Sequence, residues 1–365
     1  MTGATPVLAG SWGQAGRGGQ HWSSGVTVIN FNTADQTLRC LSSLASCLEV
    51  PSWVFVLDNS SRQDDYEKLR AGCRELLGCE LRLYRSEVNL GFAAGSNFLL
   101  DRLLAEPECL YLGLLNNDAV ACPEFVSRLV GALAVDPDRI GLVGGRMHKL
   151  HAPECVDTLG ISIYASLMPA DRHDVVDPFL GPTGGCCFLS RGLVEKLLQV
   201  SGYCFDARYF CYCEDTDLVM RANLLGYEPA YVNELVALHE GQASSGGGFN
   251  SFIAYHGIRN SIWLHMKLMP RALLLRQGVW VFLAHVMTLG RHLLAGNASL
   301  LWAVYRDAWT QRRSFLLEYQ QFRAHVKLSP QQLRLRLASG FYRRGYYRLV
   351  LKQLWRGVRN SFCLG

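Results

Sequence analysis

The sequence predicts an α/β protein built on a mainly parallel sheet flanked by helices, with a basic helical region at its C-terminal end. Three observations predict it. Short apolar, β-branched runs at residues 26–31 (VTVINF), 53–57 (WVFVL), 81–84 and 110–115 alternate with helical patterns, and strands separated by helices pair in parallel through right-handed crossovers. Polar clusters stand where three of these runs stop, at Asn32, at Asp58-Asn59-Ser60-Ser61 and at Asn116-Asn117-Asp118. In a parallel sheet those ends share one edge, and open α/β sheets bind ligands there. The charge also changes sign along the chain: residues 261–365 hold 17 Lys and Arg against two acids, Asp307 and Glu318, whereas the residues before them hold 19 against 29.

At 365 residues and 49% hydrophobic content, the chain is long enough for one large core plus an appended unit and too apolar for disorder. Residues 1–24 are rich in Gly, Ser and Gln, without the basic start and apolar core of a secretory signal, and read as a mobile tail. The thirteen cysteines form no Cys-x-x-Cys, and Cys40, Cys47, Cys109, Cys186 and Cys187 lie in apolar runs. They read as reduced, buried thiols of a cytosolic protein. Cys204, Cys211 and Cys213 match no zinc spacing.

Taken in order, strand 26–31 is followed by a helix over 33–48 with Leu38, Leu41, Leu44 and Leu48 at helical spacing. The strand at 53–57 and a helix over 63–77 come next, then the strand at 81–84. Residues 89–97 (NLGFAAGSN) open another helix with small side chains, which lets a ligand approach its backbone and N-terminus closely. The strand at 110–115 then breaks into Asn116-Asn117-Asp118. One such cluster reads equally well as a turn, because Asn and Asp favour turns for local hydrogen-bonding reasons; three in succession read as a shared site. A further strand starts at Ile140, and residues 181–190 (GPTGGCCFLS) set glycines beside an apolar strand, a sign of close backbone approach. After a helix near Arg191, residues 205–213 read as an aromatic strand. Glu214, Asp215 and Asp217 then crowd the start of an amphipathic helix that ends at Gly226. The helix dipole alone favours acids there, and Asp215 has the position of a cap; three acids in four residues exceed what capping needs and suggest a base. His239 ends the next strand, at 231–238, as a structural histidine or a ligand. The glycine-rich stretch to residue 249 reads as a flexible loop able to close over a bound molecule. Arg259 has the chemistry for a bidentate grip on phosphate or carboxylate.

No G-x-G-x-x-G follows the first strand, and neither G-x-x-x-x-G-K-[ST] nor G-x-S-x-G occurs. Dehydrogenase, P-loop ATPase and serine hydrolase readings lose ground. A nucleotide-dependent α/β enzyme whose phosphates are handled by a metal remains.

In order and spacing, VTVINFN, FVLDNSS, NLGFAAGSN, LLNNDAV, GGCCFLSR, YCEDTDLVMRANLLGY, ALHEGQASS and YHGIRNSIW resemble the family 2 glycosyltransferases, most closely their rhamnosyltransferase-like branch, over residues 25–270. The resemblance implies a GT-A catalytic domain at 25–270 and inverting transfer from a dTDP- or UDP-sugar, rhamnose or a related hexose, to a lipid-linked saccharide of the cell envelope. It implies that Asn32 and Asp58 contact base and ribose, that Asn89, Gly91, Asn97 and Asn117 line the nucleotide pocket, and that Asp118, with Asn116 and His239, holds Mg²⁺ or Mn²⁺. Asp215, in its pair with Glu214, is implied as the catalytic base, with His239 and Arg259 facing the diphosphate. One departure stands out: Asn116 replaces a carboxylate of the family's D-x-D, leaving one firm anionic ligand, which Mg²⁺ tolerates because it keeps waters and substrate phosphates in its shell. The alternative is a non-catalytic nucleotide-sugar or glycan-binding protein of the same fold.

Residues 271–365 lie outside the resemblance. Arg276, His285 and Arg291 interrupt the apolar residues 272–305, leaving runs too short for a spanning helix. Amphipathic helices lying in the inner face of the cytoplasmic membrane, with Trp280, Phe282, Leu293 and Trp302 toward lipid, are one reading. A helical unit packed on the catalytic domain is the second. A nucleic-acid surface is a third and weaker one, since basic charge alone supports only sequence-independent binding.

Overall fold

The computed structural model describes residues 5–13, 23–76, 79–241 and 250–345. Its first part comprises β1 (Val7–Trp12), β2 (Ser24–Asn30), α1 (Ala34–Ala45), β3 (Trp53–Asn59), α2 (Gln63–Cys73), β4 (Glu80–Ser86), α3 (Gly91–Leu104), β5 (Tyr111–Leu115), β6 (Ala119–Ala121) and α4 (Phe125–Ala134). The second comprises β7 (Ile140–Lys149), β8 (Ala152–Thr158), β9 (Ile161–Ile163), β10 (Pro169–Asp171), β11 (Cys186–Ser190), α5 (Arg191–Ser201), α6 (Glu214–Leu224) and β12 (Glu228–His239). The helices α7 (Ser251–Leu268), α8 (Arg271–Arg276), α9 (Gly278–Leu294), α10 (Ala298–Thr310), α11 (Arg312–Phe322) and α12 (Pro330–Leu335) complete it.

One sheet runs in the order β1-β4-β3-β2-β5-β11-β7-β12-β6, with β8 beside β7. β4, β3, β2 and β5 pair in parallel, as the alternation with helices demands. Beyond β5 the sheet is mixed, because β11 runs antiparallel to both β5 and β7: the chain reaches it through the excursion β8 to β10 and not through a crossover helix. Every residue of β3 is buried, as expected of a strand covered on both faces. One apolar layer gathers α3, α5 and α6 under the sheet, and a second gathers α1, α2 and α4 over it.

The structure corrects three expectations. Within the supposed tail of residues 1–24, Val7–Trp12 form an edge strand antiparallel to β4, where they satisfy backbone groups that an open sheet edge leaves unpaired; residues 1–4 and 14–22 lie outside the described residues. The stretch before α6 is not a strand. It holds a 3₁₀ turn, Ala207–Tyr209, followed by left-handed backbone at Phe210, Tyr212 and Cys213. The boundary drawn at residue 270 separates helices that pack together, for Trp263 of α7 joins Ala308 of α10 and Phe315 of α11 in one buried cluster. The glycine-rich loop falls on residues 242–249, outside the described residues. The described cysteines are free thiols, and among the described residues no helix is long and apolar enough to cross a membrane.

Candidate active site

The parallel register sets the polar clusters level. Asn30 of β2 lies opposite Asp58 of β3, and its side-chain amide donates to Asp58 Oδ1, Ser61 Oγ and Asp65 Oδ2, each at 3.0 Å. Asn117, just beyond β5, donates to Thr33 Oγ1 at 2.6 Å and Thr37 Oγ1 at 2.9 Å. The clusters are thus stitched into one edge. Beside it opens a cavity of about 350 Å³, lined by Thr33, Asn59, Asn89, Gly91, Asn116, Asn117 and Asp118, with Phe31, Phe210, Tyr212 and Phe252 as aromatic walls. Polar amides on one side and aromatic rings on the other suit a planar, hydrogen-bonding group such as a nucleobase.

Asp118 and His239 meet where β5 and β12 end. His239 Nε2 lies 3.1 Å from Asp118 Oδ1, and Nδ1 lies 2.7 Å from Asp157 Oδ2. Burial opposes charge on the imidazole, but the two carboxylates outweigh it and raise its pKa from 6.5 to about 10. Burial likewise opposes ionisation of Asp118, and the hydrogen bond from His239 more than reverses it, lowering that pKa. Two ligands 2.1 Å from an octahedral ion and at right angles to each other stand about 3.0 Å apart, so Asp118 and His239 are spaced as neighbouring ligands of a hard cation. Among the described residues no three His, Cys, Asp or Glu side chains gather as a metal cage. A metal here would complete its shell with donor phosphates and water, as Mg²⁺ commonly does.

Two adjacent glycines link Asp215 to the Asn116–Asp118 cluster. Gly185 accepts the Asn116 backbone N–H at 2.8 Å, while Gly184 donates its N–H to Asp215 Oδ2 at 3.1 Å. A Cβ at Gly185 would sit 2.6 Å from the Asn116 side chain, and one at Gly184 would sit 3.2 Å from Asp215. Adjacent residues therefore touch the metal-side cluster and the acid. Burial raises the pKa of Asp215, against the lowering effect of the N–H groups of Gly184 and Thr216 and the Thr216 hydroxyl. Burial and the Asp215 charge push Glu214 well above the usual carboxylate range. Glu214 is packed away, with Oε2 making no hydrogen bond.

The loop feeding α6 is strained. Phe210, Tyr212 and Cys213 have φ of 66°, 65° and 66°, a region that costs non-glycine residues energy and persists where surroundings impose it. Asn260 imposes it: its amide donates to the carbonyls of Tyr209, Cys211 and Tyr212 at 3.1, 2.9 and 2.7 Å. Replacing Asn260 with alanine leaves these carbonyls short of donors and is expected to lower stability by about 1–3 kcal/mol. Urea denaturation checks this; an unchanged midpoint would show that the loop holds itself.

Asn89, Gly91, Asn116, Asn117 and Asp118 line the cavity, whereas Asn32, Asp58, Asn97 and Arg259 do not. Asn32 donates its backbone N–H to Ser61 and accepts the Arg62 N–H on its side chain. Asp58 is fully buried, bonded to Asn30 and beside Arg85. Asn97 clasps both backbone groups of Phe205. Arg259 is buried, bonded to Tyr209 O, Asn260 and Tyr255, with its guanidinium 4.1 Å from the Trp263 ring. It braces the strained loop and does not face the cavity. Sequence reasoning gave no role to the aromatic walls, Asn260 or Asp157, and took Asn59 only as part of a polar cluster. An Asn beside an Arg after a helix start gives no sign of which carbonyls need donors, and Asp157 lies in a hairpin without a motif.

Residues 26–198 match the family model described as Glycosyl transferase family 2. The N-acetylglucosaminyl-diphospho-decaprenol L-rhamnosyltransferase of Mycobacterium tuberculosis is 27% identical over 269 residues, 66% of this chain and 83% of that protein. Among solved structures, a mannosyltransferase from Pyrobaculum calidifontis in complex with GDP-Man and Mn²⁺ superposes with a TM-score of 0.50 at 15% identity, covering 84% of this chain and 86% of that one. GalNAc-T7 with UDP, GalNAc and Mn²⁺ also gives 0.50, at 13% identity, over 74% of this chain and 52% of its own. The chain has the GT-A fold of glycosyltransferases, and residues 26–198, which build most of the cleft, match the family 2 glycosyltransferase model.

Proposed function

We propose that the protein transfers a hexose, rhamnose in first place, from a dTDP- or UDP-sugar to a lipid-linked saccharide in cell-envelope glycan synthesis, with inversion. The observation that supports this reading is the link through Gly185 and Gly184, which bond to Asn116, two residues before Asp118, and to Asp215. The name of the mycobacterial relative supports the sugar and the diphospho-polyprenol acceptor. The nucleoside lies between the aromatic walls and the amides of Asn59, Asn89 and Asn117. Asp118, with His239 and Asn116, holds Mg²⁺ or Mn²⁺, which when bound offsets charge on the leaving diphosphate. Asp215 takes the proton from the acceptor hydroxyl as that oxygen attacks the anomeric carbon opposite the leaving group, and a single displacement inverts the centre. Arg259 has no part in this, since its donors are spent inside the protein.

Release of dTDP from dTDP-rhamnose, compared with release of UDP from UDP-hexoses, with polyprenyl-diphospho-N-acetylglucosamine and Mn²⁺ present, tests the reading. No release from any donor would favour the non-catalytic alternative.

Attachment to the cytoplasmic face of the membrane is part of the same proposal. α10 and α11 pack on α7, but the outer faces of α9 and α10 are bare: Phe282 is 66% exposed, Leu294 77%, Trp302 71% and Trp309 62%. Isolated exposed apolar residues are ordinary, whereas several on successive helices that also carry Arg276, Arg291 and Arg312 suit an anionic bilayer interface. Truncation would strip α10 and α11 from the core, so point variants make the better test. Phe282→Glu with Trp302→Glu is expected to abolish flotation with phosphatidylglycerol liposomes while leaving the melting temperature in place, and flotation like wild type would remove membrane attachment from the proposal.

A further inference from the structure

We infer that Asp157 is a positioning residue for the metal: it holds His239 in the tautomer and orientation that turn Nε2 toward Asp118. This rests on the reading of Asp118 and His239 as ligands. The imidazole is caught between two carboxylates on its two nitrogens, Asp157 Oδ2 at 2.7 Å from Nδ1 and Asp118 Oδ1 at 3.1 Å from Nε2. The shorter contact is on the side away from the cluster at Asn116. β8 brings Asp157 there by pairing with β7, which itself runs beside β12, the strand that ends in His239. All three side chains are at most 22% exposed, so solvent does little to compete for the Nδ1 proton.

A neutral histidine carries its proton on one nitrogen and its lone pair on the other, and the partner of the first decides which. A cation bound at Nε2 would displace the proton that faces Asp118, while Asp157 keeps accepting from Nδ1–H and makes Nε2 a stronger donor. Such a brace matters more here than in a full D-x-D site. Asn116 stands where a second carboxylate would be, so His239 supplies donor strength that the Asn-Asn-Asp cluster lacks.

The test is a Mn²⁺ titration of the full chain in the presence of UDP, followed by the paramagnetic resonance signal of free aqueous Mn²⁺, with melting temperatures in parallel. Asp157→Ala is expected to weaken Mn²⁺ binding by about 10–100-fold with little change in melting temperature. Asp157→Asn, which keeps a neutral acceptor for Nδ1–H, is expected to fall between Ala and wild type. Wild-type affinity in Asp157→Ala, with or without a loss of melting temperature, overturns the inference. Asp118→Asn separates the two levels: if it loses Mn²⁺ while Asp157→Ala does not, the metal reading stands and only the brace falls. If wild type binds no Mn²⁺, or Asp118→Asn binds it as well as wild type does, the metal reading falls and the inference with it.

Discussion

Asp215→Asn is expected to abolish sugar transfer and to leave nucleotide binding nearly unchanged. The substitution keeps the shape of the side chain and removes its capacity to accept a proton, and loss of a positioned general base costs about 10²–10⁴-fold in turnover. Asp215 is suited to the role on two counts. Gly184 and Thr216 fix its two oxygens, so the carboxylate is aimed before any acceptor arrives. Burial raises its pKa, which strengthens it as a base while the N–H donors keep the rise in check. It is not among the residues lining the donor cavity, so calorimetric affinity for UDP or dTDP should stay within about twofold of wild type, less than ~0.5 kcal/mol. Turnover near the wild-type rate would show that another group takes the proton. A parallel loss of nucleotide affinity would show that Asp215 acts on the donor side.

The parts of this site that depend on periodicity were legible in the sequence. Alternating strands and helices predict a parallel edge, and the register that sets Asn30 beside Asp58 follows from that pairing. Acids opening α6, and glycines at 184 and 185 beside a strand, are equally local signals. What the chain did not reveal is direction. Asn97, Asp58 and Arg259 have the donors and acceptors of ligand-binding groups, yet each spends them on protein atoms, and residue type alone cannot tell a carbonyl in the protein from one in a ligand. The left-handed residues before α6 were misread for a related reason: Tyr, Phe and Cys favour strands by propensity, and only the amide of Asn260, some fifty positions away, makes the other conformation tenable. Charge patterning misled in the same way at the C-terminal end, where an excess of Lys and Arg suggested a separate surface but one buried cation before residue 270 is a tie between the two regions.

That cation is Lys267, and Lys267→Met is expected to lower stability by about 3–5 kcal/mol, the cost of leaving buried charges without their partner. Lys267 is 2% exposed on α7. Its ammonium lies 2.7 Å from Asp206, 2.6 Å from Asp217 and 3.8 Å from Glu318. Asp217 is shared with Arg221, at 2.7 Å, and neither of the two is exposed at all. Asp206 is shared with Arg208, which also pairs with Glu318. Burial opposes ionisation of Asp206, but Arg208 and Lys267 outweigh it and hold its pKa well below the usual range. Without Lys267, the buried Asp206 and Asp217 and the part-buried Glu318 share two guanidiniums, and the excess charge falls on Asp206 and Glu318, which both lean on Arg208. Against a typical total of about 5–15 kcal/mol the loss is severe, and urea denaturation of Lys267→Met and Glu318→Gln separates the contributions. Glu318 is 27% exposed on its side chain and the more distant partner, so its substitution is expected to cost less than about 1 kcal/mol. A small effect in Lys267→Met would mean that α6 is held by apolar packing alone. The expected large one would mean that the basic helices, whatever their outer faces touch, are anchored through α7 to α6, the helix that carries Asp215.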